Sequence, residues 1–239
     1  MEWLHCPDGQ CLGALAADQV TRLVTMKPDA TFALPTGRTP GGLYAELVRR
    51  QSAGRLSLGR ARFFNLDEYV GLAASDPLSF AWYLRQQLLD PAGIPASRTR
   101  LLRGDAAALD LECRSFDAAI AAAGGLDLAI LGLGANGHIA FNEPGVAWDL
   151  ATHVARLTPE TRAAGGTNGA STVPDRGITM GIATLREARA VLLLVAGHTK
   201  RAALAALQAG RATRDWPVTS LLDHPQVVVI STIGTPRGA

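Results

Sequence analysis

The chain is short of charge, cysteine and long apolar runs, and each shortage excludes a class of function. Only 18% of its 239 residues are charged, the net charge is +2, and no block of Lys and Arg forms the footprint of a nucleic-acid binder. Small anions are the expected partners, with no nucleic acid among them. No segment is an uninterrupted apolar span of membrane length, and the opening Met1-Glu2-Trp3-Leu4-His5 has neither the basic nor the apolar region of an export signal. No membrane is therefore expected, and the protein is expected to be cytoplasmic. Cys6, Cys11 and Cys113 have no neighbouring His and no second Cys pair at zinc-site spacing, so they read as reduced thiols and no metal is expected. Long Ser/Pro linkers, internal repeats and low-complexity tracts are missing as well.

What is present is apolar material, 48% of the chain, in short runs that alternate between strand-like and helical patterns. That alternation predicts an α/β fold: one domain over residues 1–239, built on a doubly wound, mostly parallel, Rossmann-like sheet. Strands are expected at Thr31–Leu34, Arg62–Asn65, Leu126–Leu131, Val191–Val195 and Val227–Ile230, which are apolar enough to be covered on both faces. Helices are expected at Cys11–Val24, Pro40–Arg50, Phe80–Leu89, Ala106–Ala122 and Thr199–Gln208. Thr161–Arg176 has no periodicity and contains Gly165-Gly166-Thr167-Asn168-Gly169; it reads as a lid, with an ordinary surface loop as the competing reading.

Four of the loops that follow strands carry chemistry. The run ending at Leu131 stops at glycines and then presents Gly134, Asn136, His138 and Glu143 before Pro144. Phe63-Phe64-Asn65-Leu66 delivers Asp67, followed by Glu68 and Tyr69. Thr36, Gly37, Arg38 and Thr39 follow a strand and precede Pro40, where a helix should begin, so hydroxyls and free backbone N–H groups can meet a phosphate there. The spacing is not that of a Walker A loop. Lys200 is expected in the first turn of the last helix, where a cation opposes the helix dipole and suggests an anion nearby. In an open α/β sheet, ligands bind beyond the carboxyl ends of the strands, which is where all four loops fall. Carboxylates and an imidazole beside a phosphate grip point to proton transfer on a sugar phosphate, with no cofactor required. Taken singly, Asp67 is as well read as a turn cap and His138 as a satisfied core histidine. Trp82, Trp148 and Trp216 read as packing anchors.

Together, Leu34–Pro40, Phe64–Leu72, Gly132–Gly145 and Gly197–Lys200 resemble, in order, the signature segments of the glucosamine-6-phosphate deaminase (isomerase) family. The resemblance implies conversion of glucosamine 6-phosphate and water to fructose 6-phosphate and ammonia. It makes Asp67 the base that moves the C2 proton, His138 the group that opens the pyranose ring, and Asn136 and Glu143 the residues that orient and tune that histidine, with Asn136 bonded to the imidazole. Three departures stand out. Ala135-Asn136 replaces the common Asn-Asp, Arg38 replaces a second glycine, and Thr167 aligns with a lid arginine that binds phosphate. Arg38, or else Arg162 or Arg176, is left to supply that positive charge.

Galactosamine 6-phosphate remains an alternative substrate, because Gly125–His138 and Arg176–Ile182 also resemble galactosamine-6-phosphate deaminase. A 6-phosphogluconolactonase is disfavoured by the Ile139-Ala140-Phe141-Asn142-Glu143-Pro144 ending. A sugar-phosphate-sensing regulator domain is disfavoured because only about thirty residues precede the strand at Thr31, here taken as the first. Allosteric hexamers of the family carry an arginine and a lysine just after the Asn-Glu-Pro ending and a C-terminal extension. Gly145–Ala155 has no Lys or Arg, and the chain ends soon after its last expected strand, so hyperbolic kinetics and a monomer or small homo-oligomer are expected.

Overall fold

The apolar runs form strands covered on both faces, as their composition requires. The computed structural model describes residues 1–165 and 173–234. Its strands are Glu2–His5 (β1), Thr31–Leu34 (β2), Arg62–Asn65 (β3), Asp67–Tyr69 (β4), Thr99–Arg100 (β5), Leu128–Gly132 (β6), His153–Arg156 (β7), Arg176–Thr179 (β8), Ala190–Val195 (β9) and Val227–Ser231 (β10). Its α-helices are Gly9–Met26 (α1), Gly41–Ser52 (α2), Phe80–Leu84 (α3), Leu109–Ala122 (α4), Pro159–Gly165 (α5), Ile182–Arg186 (α6) and Arg201–Gln208 (α7). None of the described helices is long and apolar enough to cross a membrane.

The main sheet has the order β1-β10-β9-β6-β2-β3-β5 and is parallel throughout. Side chains alternate across it. Phe63 stacks on Phe32 in one core layer at 5.5 Å, and Phe64 meets Phe116 edge-on in the other at 5.5 Å. Helices α1 and α2 cover the first face; α4 and α7 cover the second. The first pair approaches closely because Gly13 faces Gly42: a Cβ on Gly13 would lie 2.6 Å from the Gly42 carbonyl carbon. From β2 the chain moves outward to β3 and β5, whereas β6 leads to β9 and β10 on the other side. The loops after β2 and β6 therefore diverge and open a crevice at the switch point.

A second, antiparallel sheet of order β4-β8-β7 stands at this edge, with Asp67 paired to Thr179, Glu68 to Ile178 and Tyr69 to Gly177. Its strands of three and four residues are too short to carry a readable alternation, and none of them was expected from the sequence. Four other expectations are corrected. β1 precedes Thr31, so the strand there is not the first; its end residues Glu2 and His5 are exposed, which hid an edge strand. Phe80–Leu89 is a short α-helix that widens into a π turn at Arg85–Leu89, and the helix expected from Ala106 begins at Leu109. Thr161–Arg176 is not aperiodic throughout, since Thr161–Gly165 completes α5 and Arg176 opens β8. Its middle, 166–172, including Thr167, lies outside the described residues.

Candidate active site

The turn from β3 into β4 is pinned by Asn65. Its side-chain amide donates to the Asp67 carbonyl at 2.7 Å, and its Oδ1 accepts from the Leu102 N–H at 2.8 Å. The next two carboxyls then meet opposite fates, as successive strand residues point to opposite faces. Glu68 accepts from the N–H groups of Tyr69, Phe80 and Ala81 and from the Ser79 hydroxyl, at 2.7–3.0 Å, and so anchors the start of α3. Asp67 is 6% exposed, and among the described residues nothing donates to its carboxyl. Burial, then the charge of Glu68, push its pKa up to about 8.

After β6, the Gly134 N–H donates to the His138 carbonyl at 2.9 Å and the Gly137 N–H to the Gly134 carbonyl at 3.1 Å, closing a tight loop. Gly134 is required there because a Cβ would sit 2.5 Å from the His138 ring, and Gly137, at φ +86, backs onto Trp216. The imidazole Nδ1 lies 3.1 Å from the Thr161 hydroxyl and 3.6 Å from Glu143 Oε2. Burial raises the pKa of Glu143, but bonds from His138, Thr161 and Asn136 outweigh it and hold the carboxyl down at about 2. Asn136 does not bond the imidazole as expected. The turn folds its side chain back, so that Nδ2 donates to Glu143 Oε2 at 2.8 Å and Oδ1 accepts the His138 backbone N–H at 3.2 Å.

Strand β8 ties the two halves together. The Met180 N–H that follows it donates to the Leu66 carbonyl at 2.7 Å, on the Asp67 side. On the histidine side, the Thr179 hydroxyl accepts the Phe141 N–H at 3.1 Å, and Asn142 Nδ2 donates to the Met180 carbonyl at 2.9 Å. The same Asn142 amide holds the Ile139 carbonyl across a turn in which Ala140 has a φ of +49. A non-glycine residue there costs about 1–2 kcal/mol, and such strain is concentrated at functional sites.

The third and fourth loops supply cations. Thr36 and Thr39 are partly exposed, whereas Gly37, at φ +94, and Arg38 are exposed. Tyr83 donates to the Gly37 carbonyl at 2.6 Å and Tyr44 to that of Pro35, which braces the loop. Burial, then Tyr83, then Asp67 raise the Tyr44 pKa. Lys200 ends a 3₁₀ turn, His198–Lys200, just ahead of α7 rather than within its first turn. Its pKa is lowered by burial first and by the Arg38 charge second. Among the described residues neither forms an ion pair. Arg162, the alternative cation, donates instead to the Val173 carbonyl at 3.2 Å.

The arrangement can support proton transfer beside an anion. The profile of glucosamine-6-phosphate isomerases/6-phosphogluconolactonase matches residues 10–230. The chain belongs to this family. A glucosamine-6-phosphate deaminase of Lysinibacillus sphaericus is 39% identical over 232 residues, covering 96% of this chain and 98% of the relative. The solved structure of a monomeric glucosamine-6-phosphate deaminase superposes with a TM-score of 0.93 at 35% identity, over 97% of each chain. A 6-phosphogluconolactonase from Thermotoga maritima, at 21% identity and a TM-score of 0.76 over 96% of this chain and 98% of that one, shares the fold.

Sequence reasoning missed Thr161, Thr158 and Asn142. Thr158 reaches Glu143 through its N–H at 3.3 Å and the Thr161 hydroxyl through its own at 3.1 Å. The signal was local: Thr158-Pro159-Glu160-Thr161 is a helix start, with a hydroxyl ahead of a proline.

Proposed function

We propose that this protein is a cytoplasmic glucosamine-6-phosphate deaminase, taking glucosamine 6-phosphate and water to fructose 6-phosphate and ammonia. The observation that carries the reading is the Asp67 carboxyl, buried at the switch-point crevice with no donor among the described residues, where a base for a C–H proton has to stand. A carboxyl with a pKa near 8 is mostly protonated at neutral pH. The C2 ammonium of the amino sugar supplies the counter-charge that ionises it on binding.

His138 takes the proton of the anomeric hydroxyl and returns one to the ring oxygen, which opens the pyranose. Glu143, ionised at any physiological pH, stabilises the imidazolium formed in passing. Asp67 then removes the C2 proton to give a cis-enolamine and delivers it to C1, leaving an imine at C2. Water adds to that carbon and ammonia departs. Arg38 and Lys200 hold the phosphate, with the hydroxyls of Thr36 and Thr39 and the backbone at Gly37; Gly134 lets the substrate approach beside the imidazole.

Ammonia release measured on a panel of phosphorylated amino sugars tests this. Release from glucosamine 6-phosphate, with fructose 6-phosphate formed in equal amount, is expected. Release from galactosamine 6-phosphate alone moves the specificity to the C4 epimer, and hydrolysis of 6-phosphogluconolactone without deamination overturns the reading. We further propose a monomer or small homo-oligomer with hyperbolic kinetics and no response to N-acetylglucosamine 6-phosphate, because Gly145–Ala155 offers no permanent cation to an effector phosphate. Sigmoidal rates that this compound makes hyperbolic overturn that part.

A further inference from the structure

Away from the crevice, two of the three cysteines meet. Cys6 follows β1 and is fixed by the sheet, its N–H donating to the Ser231 carbonyl at 2.8 Å. Cys11 lies in the first turn of α1 and is fixed by the helix cap, its N–H donating to the Asp8 carboxylate at 2.8 Å. Strand and helix are thus held independently, and they bring the Cys11 thiol to 2.9 Å from the Cys6 sulfur. A disulfide needs a further approach of roughly 0.9 Å, to about 2.05 Å. Cys6 has no exposed surface, whereas Cys11 is partly open to solvent. Cys113 lies in the core layer on the other side of the sheet from the one holding Cys6.

We propose that Cys6 and Cys11 are a reversible dithiol–disulfide pair, oxidised by low-molecular-weight disulfides, with Cys11 as the attacking and Cys6 as the resolving thiol. The Cys11 thiolate attacks one sulfur of the small disulfide, forming a mixed disulfide and expelling a thiolate. That thiolate takes the Cys6 proton, and the Cys6 sulfur attacks Cys11 Sγ, expelling the second thiol. Two protein thiols and one small disulfide give one protein disulfide and two small thiols. The order follows from access and acidity, because burial, then the bond from Cys11, push the Cys6 thiol up to about 12, so only Cys11 can begin the exchange.

The test is to treat the folded protein with hydroxyethyl disulfide and weigh it. The expected product is lighter by about 2 Da, with that loss in the Met1–Arg22 tryptic peptide, one of three thiols still titratable after denaturation, and full reversal by dithiothreitol. Cys6→Ser should stop at a mercaptoethanol adduct on Cys11, and Cys113→Ser should behave as the parent. Should the buried Cys6→Ser fail to fold, Cys11→Ser at the surface serves instead, and Cys6 should then remain unmodified. A lasting adduct on Cys11 of the parent, three thiols unchanged, or modification of Cys6 in Cys11→Ser overturns the proposal.

Discussion

Asp67 and Glu143 are both buried carboxyls at the same edge of one sheet, yet their surroundings drive them apart. Asp67 opens β4, its carboxyl has no donor among the described residues and it is pushed up to about 8, whereas Glu143, encircled by His138, Thr161, Asn136 and Thr158, is held near 2. The difference shows how one fold equips a site with two carboxyls of opposite habit. The one with no donor among the described residues is suited to exchange protons, and the one supplied with donors stays charged beside the imidazole.

The sharpest way to break the contrast is Asp67→Asn, which keeps the volume and removes the base. Turnover should fall by about a hundredfold or more with substrate binding retained, as measured by steady-state rates and direct titration. A near-normal rate removes Asp67 from the chemistry.

Next in size is binding. Arg38→Ala and Lys200→Ala should each raise KM for the phosphorylated sugar by about tenfold or more, since each loses a charge-assisted bond, and should scarcely change the rate on the unphosphorylated amino sugar. An unchanged KM in Arg38→Ala means that Arg38 points away from the phosphate.

Stability should separate the two carboxyls by sign. The folded state binds the Asp67 proton more tightly than the unfolded chain, so this group lowers stability as pH rises from about 4 to about 8. Asp67→Asn should therefore gain on the parent by a few degrees in Tm at pH 8 and by little at pH 4. Glu143 has the reverse linkage. Its stabilisation is complete above the unfolded pKa near 4.5 and is lost as pH falls toward about 2, so Glu143→Gln should be less stable at pH 7 and approach the parent in acid. Thermal melts at the two ends of each window decide it, and the same sign for both variants ends the contrast.

The smallest effect is expected for Thr161→Val, which removes the hydroxyl 3.1 Å from the His138 ring but keeps the shape. The kcat should fall by several-fold with an altered pH profile and little change in KM, because the imidazole loses a partner and the phosphate grip does not. A parent-like pH profile makes Thr161 merely structural.

How much of this was readable from the sequence follows from range. Thr31–Leu34, Arg62–Asn65 and Val191–Val195 announce themselves by composition, and the loops after them carry Gly, Thr, Asp and Lys at positions only a strand end makes useful. Strands β4, β7 and β8 were invisible because each is defined by a partner far away in the chain rather than by its own pattern. Asn136 was placed in the correct loop and given the wrong partner, since a side chain two residues before the histidine can fold either way around a glycine. The Cys6–Cys11 contact was hidden for a similar reason: a strand end meeting a helix start leaves no characteristic cysteine spacing in the sequence.

The pairing of Asp67 with Thr179 has a consequence for the order of assembly. The hydrogen bonds that tie the Asp67 strand and the histidine loop together run to β8 and Met180, which the ribosome delivers long after β4. Closing so long a loop is slow, whereas the neighbouring parallel strands β2 and β3 form from nearby sequence. The crevice is thus among the last parts of the molecule to form, and a nascent or partly unfolded chain keeps much of its sheet while lacking a site that can release ammonia from substrate.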